Sequence, residues 1–147
     1  MKFNIQELNQ EKLNESVANE ASLIFKNKKS YDTRTYDDIV ANTKAGHAVE
    51  RFLIECANFT NNPKMYHDVV SAAGVEVECK VINHKWCNDY NVITDPKAFN
   101  LKKWTQNYKN YNSARYVCVF KSDGLNENFE YYATFDLENG DKVELPK

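Results

Sequence analysis

His67-Asp68-Val69-Val70-Ser71-Ala72-Ala73-Gly74-Val75-Glu76-Val77-Glu78-Cys79-Lys80 reads as two short strands joined by a turn at Gly74. In the second strand Val75, Val77, Cys79 and Val81 alternate with Glu76, Glu78, Lys80 and Ile82, the period-two pattern of a half-buried strand. The apolar set is expected to face a core, which leaves two acids and a lysine in a row on the opposite face. The pattern predicts strands over residues 65–70 and 75–82.

Upstream, residues 45–58 read as a helix: Val49, Phe52, Leu53 and Cys56 fall at helical spacing, and Asn61-Asn62-Pro63 stops the segment. Glu50 lies beside that stripe, so its carboxylate is expected to point toward whatever the helix packs on. Residues 13–25 form an earlier helix, with Val17, Ala21, Leu23, Ile24 and Phe25 loosely on one side. Residues 1–12 are polar and expected to be peripheral. The stretch 26–38 is expected to be a loop over the site or an arm to a partner.

Downstream, residues 90–94 suggest a third short strand. Residues 96–111 read as a helix with Asp95 as N-cap and Pro96 at its first position. Leu101, Trp104, Tyr108 and Tyr111 make its apolar stripe, and Lys102, Gln106 and Lys109 share another face. Residues 114–121 form a buried-type strand. Segments 129–136 and 142–145 suggest a hairpin closed by a two-residue turn at Asn139-Gly140. The expected fold is a single α/β domain spanning 1–147, with a central mixed β-sheet flanked by helices. Its core covers about 45–121, preceded by a helix and arm over 1–44 and followed by a C-terminal β-hairpin over 122–147.

Composition supports a globular domain with a real core: 147 residues, 42% hydrophobic and 13% aromatic. No apolar run approaches membrane-spanning length, and the amino terminus lacks the apolar core of a signal peptide. A cytoplasmic location without a membrane partner is the expectation. Cys56, Cys79, Cys87 and Cys118 contain no C-x-x-C pair and are expected to be buried free thiols. His84 and Cys87 lack two further ligands at zinc-site spacing.

The net charge of −2 hides an asymmetry. Residues 80–121 carry eight Lys/Arg against two acids, or +6; residues 122–147 are −5 and residues 1–79 are −3. A polyanion would be drawn to the basic segment. Its lysines alternate with aromatics, which suits a nucleic-acid groove. Lys85, Lys102, Lys103, Lys109 and Arg115 are the candidate phosphate contacts, whereas Trp104, Tyr108 and Tyr116 are expected in the core.

The strand charges allow a specific chemistry. Mg²⁺ prefers oxygen ligands and is commonly held by one or two carboxylates together with substrate phosphate oxygens. Asp68 and Glu78 can share one ion if the hairpin sets them side by side, with the Cys79 backbone carbonyl as a third ligand. Lys80 on the same face can orient a water or neutralise transition-state charge. Glu50 is a candidate direct or outer ligand.

Asp68, then Glu78-Cys79-Lys80, preceded by a helical Glu50, resembles the PD-(D/E)XK nuclease superfamily, whose fold is that of restriction endonucleases. The family core of helix, three strands, helix and strand is similar to the order expected over 45–121. The resemblance implies a Mg²⁺-dependent nuclease, with Mn²⁺ able to substitute, that hydrolyses phosphodiester bonds in DNA. Asp68 and Glu78 would bind the metal, Lys80 would assist the nucleophile, and Glu50 would complete the site. His67 stands where the family name has proline, and Glu76 is an extra acid on the charged face. Gln106 resembles a glutamine that some exonuclease branches use near phosphate. Cutting two strands takes two sites, so a homodimer is expected.

Three other readings stay open. Glu-x-Glu-x-Lys also describes a solvent-exposed strand with weak ion pairs. The alternatives to a DNA nuclease are a non-catalytic nucleic-acid- or protein-binding module on a nuclease-like fold and a nuclease acting on RNA.

Overall fold

The structure is a computed structural model that describes residues 1–62, 68–83, 101–111 and 114–147. Seven strands form one mixed sheet: β1 (Lys2–Asn4), β2 (Thr60–Asn61), β3 (Asp68–Val70), β4 (Glu76–Asn83), β5 (Tyr116–Ser122), β6 (Asn128–Asp136) and β7 (Lys142–Val143). Their order is β1-β6-β5-β4-β3-β2, with β7 also pairing β6. Among the described residues three α-helices accompany them, α1 (Gln10–Asn27), α2 (Tyr36–Cys56) and α3 (Leu101–Tyr111), with a short 3-10 turn at Ile5–Glu7. β2, β3 and β4 are antiparallel neighbours, whereas β4 and β5 run parallel, as expected for strands separated by a helical crossover.

Alternation along the strands sends side chains to two separate cores. On β4 and β5, Val77, Cys79, Cys118 and Phe120 join one cluster with Leu13 and Val17 of α1 and Val49, Phe52 and Leu53 of α2. Val117, Val119 and Ile82 belong to a second cluster, against which Leu101, Trp104 and Tyr108 of α3 pack. The sheet is therefore mixed, with α1 and α2 on one face and α3 on the other. Of the stripe expected on α3, Leu101, Trp104 and Tyr108 are partly buried against this cluster, and the Tyr111 side chain lies outside the described part.

Four expectations are corrected. Residues 1–12 are not peripheral: Phe3, Ile5 and Leu8 are buried, and Phe3 stacks on Phe52 and Phe129 with ring centroids 4.4 and 4.8 Å away. Helix α2 starts at Tyr36 instead of residue 45, because Thr35 and Asp38 form a capping box that satisfies its first backbone N–H groups. On α1 the buried stripe is Leu13, Val17 and Ala21, while Leu23 and Phe25 are exposed. The terminal hairpin has a longer connection than two residues: the Asp136 N–H donates to the Asp141 carbonyl at 2.8 Å, with Gly140 in the left-handed region at φ +79°.

Cys79 and Cys118 are buried as expected, but Cys56 is exposed at the end of α2. Burial pushes the Cys118 thiol up to about 12. The expected strand over 90–94, residues 65–67, the helix start at Asp95 and Pro96, and His84 and Cys87 lie outside the described residues. Among the described residues, no helix is long and apolar enough to cross a membrane.

Candidate active site

Gly74, at φ +84°, makes the turn that β3 and β4 need, and open space surrounds the position where a Cβ would stand. The Ser71 N–H donates to the Val75 carbonyl, and the Val75 N–H donates to the Ser71 hydroxyl. These bonds pin the register. Asp68 stands opposite Glu78, Val69 opposite Val77 and Val70 opposite Glu76. Directly opposed residues of an antiparallel pair lie on the same face, with Cβ atoms roughly 4.5–5.5 Å apart. The two acidic positions are thus neighbours across the ladder, although the Asp68 side chain itself lies outside the described part.

Past Glu78, β4 continues beside β5 through Asn83 opposite Ser122. A cavity of about 230 Å³ opens beside this stretch. Its lining draws on three elements: Asn42, Thr43 and Gly46 from α2, Glu78 and Lys80 from β4, and Trp104 from α3. Glu78 is half-buried and Lys80 exposed. The Lys80 ammonium lies over the Trp104 ring, 5.7 Å from its centroid. Glu76 is exposed on the same strand face, one pleat period further from the cavity. Cys79 sits between the two charged residues and turns its side chain into the α1–α2 core.

Glu50 is buried but has local partners. His47 Nδ1 approaches Glu50 Oε2 at 3.4 Å, and His47 Nε2 is in hydrogen-bond contact with the Glu20 carboxylate on α1. The described α2 lining of the cavity stops at Gly46, one helical turn before Glu50. This Glu20–His47–Glu50 chain was not read from the sequence. Its one textual signal is the i,i+3 spacing of His47 and Glu50, which places them on neighbouring positions of a helix.

Lys102, Gln106 and Lys109 form an exposed row on α3. They border a groove of about 430 Å³ whose other wall is Glu138, Asn139 and Gly140. Arg115 is engaged elsewhere. Its guanidinium donates to both Asp136 carboxylate oxygens, at 3.1 and 2.9 Å, and meets Glu138 at 2.9 Å. The hydrogen bonds from Arg115 hold the Asp136 carboxyl below its ordinary range, and the same bonds raise the guanidinium. Lys85 and the Lys103 side chain lie outside the described residues.

Among the described residues, no group of three or more His, Cys, Asp or Glu side chains is placed to hold a metal ion. The chain matches no family model, no curated protein and no solved structure.

Proposed function

We propose that the chain is a Mg²⁺- or Mn²⁺-dependent DNA endonuclease of the PD-(D/E)XK, restriction-endonuclease-like type. The observation that carries the reading is the β3–β4 register, which sets Asp68 directly across from Glu78 and leaves Lys80 one pleat period along on the same face. The element order supports it. α2, the antiparallel β2-β3-β4, α3 and the parallel β5 follow the helix, three strands, helix, strand order of that family.

Carboxylate oxygens are the donors a hard divalent cation prefers, so Asp68 and Glu78 fit such an ion chemically. When bound, the ion would stabilise charge on a scissile phosphate and acidify a coordinated water. Lys80 holds a positive charge beside Glu78, where it can orient that water or neutralise a phosphate oxygen as charge builds. Lys102, Gln106 and Lys109 are proposed backbone contacts, which position DNA without reading its sequence. Glu50, held by His47, stands outside the minimal site. Cleavage of both strands would use two copies of the chain, and sedimentation with and without DNA tests that homodimer.

A plasmid assay with and without Mg²⁺ tests the function. Nicked or linear product from the wild type, lost in Asp68→Ala and Lys80→Ala, supports the reading. Intact plasmid, linear and branched DNA across metals, with DNA still bound, overturns it in favour of a binding module. Cleavage of RNA but not of the same sequence as DNA overturns the choice of substrate.

A further inference from the structure

We infer that Trp104 is a positioning residue of this site, holding the Lys80 ammonium at the cavity mouth through the face of its indole ring. The inference rests on the nuclease reading above. By sequence alone Trp104 belongs to the apolar stripe of α3, together with Leu101 and Tyr108. The structure gives it a second role. One part of the ring packs against the cluster of Ile82, Val117 and Val119, while the residue also lines the cavity that Glu78 and Lys80 share.

Lys80 needs such a partner. Its ammonium ends a flexible four-carbon stem and the residue is exposed. Among the described residues no hydrogen bond or ion pair holds that ammonium; its close contact is the indole, 5.7 Å from nitrogen to ring centroid. That separation is within the roughly 6 Å over which an aromatic quadrupole attracts a cation, and tryptophan is the strongest such ring. A carboxylate partner would also fix the ammonium, but it would neutralise the charge and occupy its N–H donors. An aromatic face restricts the ammonium while leaving the positive charge and most donors available to water or a phosphate oxygen. Trp104 can itself be a fixed reference point, because α3 packs it against the sheet.

The test compares Trp104→Phe, which keeps an aromatic face, with Trp104→Leu, which keeps apolar bulk alone. Single-turnover plasmid cleavage should stay within about threefold of wild type for Phe and fall about tenfold for Leu, with DNA affinity unchanged in both. A residue that only fills the core would not make this distinction. An independent readout is the NMR shift of the Lys80 side-chain methylene protons, expected upfield in the wild type through the ring current and relaxed in Trp104→Leu. Equal cleavage by the Leu and Phe variants overturns the inference, as do unshifted methylenes in the wild type, which need no variant to fold. A wild type that cleaves no nucleic acid overturns the nuclease reading, and the positioning role falls with it even where the ring-current shift is present.

Discussion

Two charged clusters sit on the same sheet and handle their charge in opposite ways. At the junction of β5 and β6, the Arg115 guanidinium is taken up by Asp136 and Glu138, with hydrogen bonds of 2.9–3.1 Å to Asp136 alone. On β4, the Lys80 ammonium lies over an indole and beside a cavity. The first arrangement uses a cation's donors to close the fold. The second restrains a cation without using them up. One cation is neutralised by its carboxylate neighbours; the other lies over a ring that cannot neutralise it.

The largest break in this contrast is expected at the β4 cluster. Lys80→Ala and Asp68→Ala should each lower Mg²⁺-dependent plasmid nicking by at least about a hundredfold, the scale of losing a group that stabilises transition-state charge. Thermal unfolding of the Lys80 variant should stay close to wild type, since an exposed lysine adds little to stability. Arg115→Ala should do the reverse. It strips a buried carboxylate of two charge-assisted bonds, and chemical denaturation should show a lower midpoint than wild type. Its nicking activity should match wild type at temperatures where it stays folded.

Acid sharpens the same comparison. The Asp136 carboxyl is depressed in the folded protein chiefly by hydrogen bonds from Arg115. Its contribution is therefore fully present above the ordinary carboxylate range near pH 4, and is lost as pH falls through the lower folded value. Denaturation midpoints measured from pH 6 to pH 2 should fall less steeply in Asp136→Asn than in wild type. The smallest effect belongs to the α3 row. Lys102→Ala or Lys109→Ala should each reduce the salt slope of DNA binding by about one, with only a few-fold loss of affinity.

The β3–β4 hairpin was legible because a period-two alternation and a glycine turn are both local signals, and the ladder adds the register. The apolar stripe of α3 was legible for the same reason. The start of α2 was missed because the apolar rhythm begins only inside the helix, while its first turn is polar and announced by the Thr35–Asp38 box alone. The first strand was missed because three residues cannot display a period, and their partner lies in β6 at the far end of the sequence. In the site, the placing of positions 68 and 78 on neighbouring strands followed from the sequence, whereas their direct opposition is given by the ladder. The His47 chain and the indole under Lys80 did not follow from the sequence, since each joins elements whose packing is set by long-range contacts. Trp104 reads as pure core until α3 is laid across β4.

That first strand also dictates an order of assembly. Lys2 meets Glu130 and Asn4 meets Asn128, so on a ribosome adding about 5–20 residues per second the two partners emerge about 6–25 s apart. Until then β1 has no ladder to join, although α1 and α2 are already long enough to pair. Phe3 can stack on Phe52 early, but its second stacking partner, Phe129, and the β1–β6 ladder wait for β6.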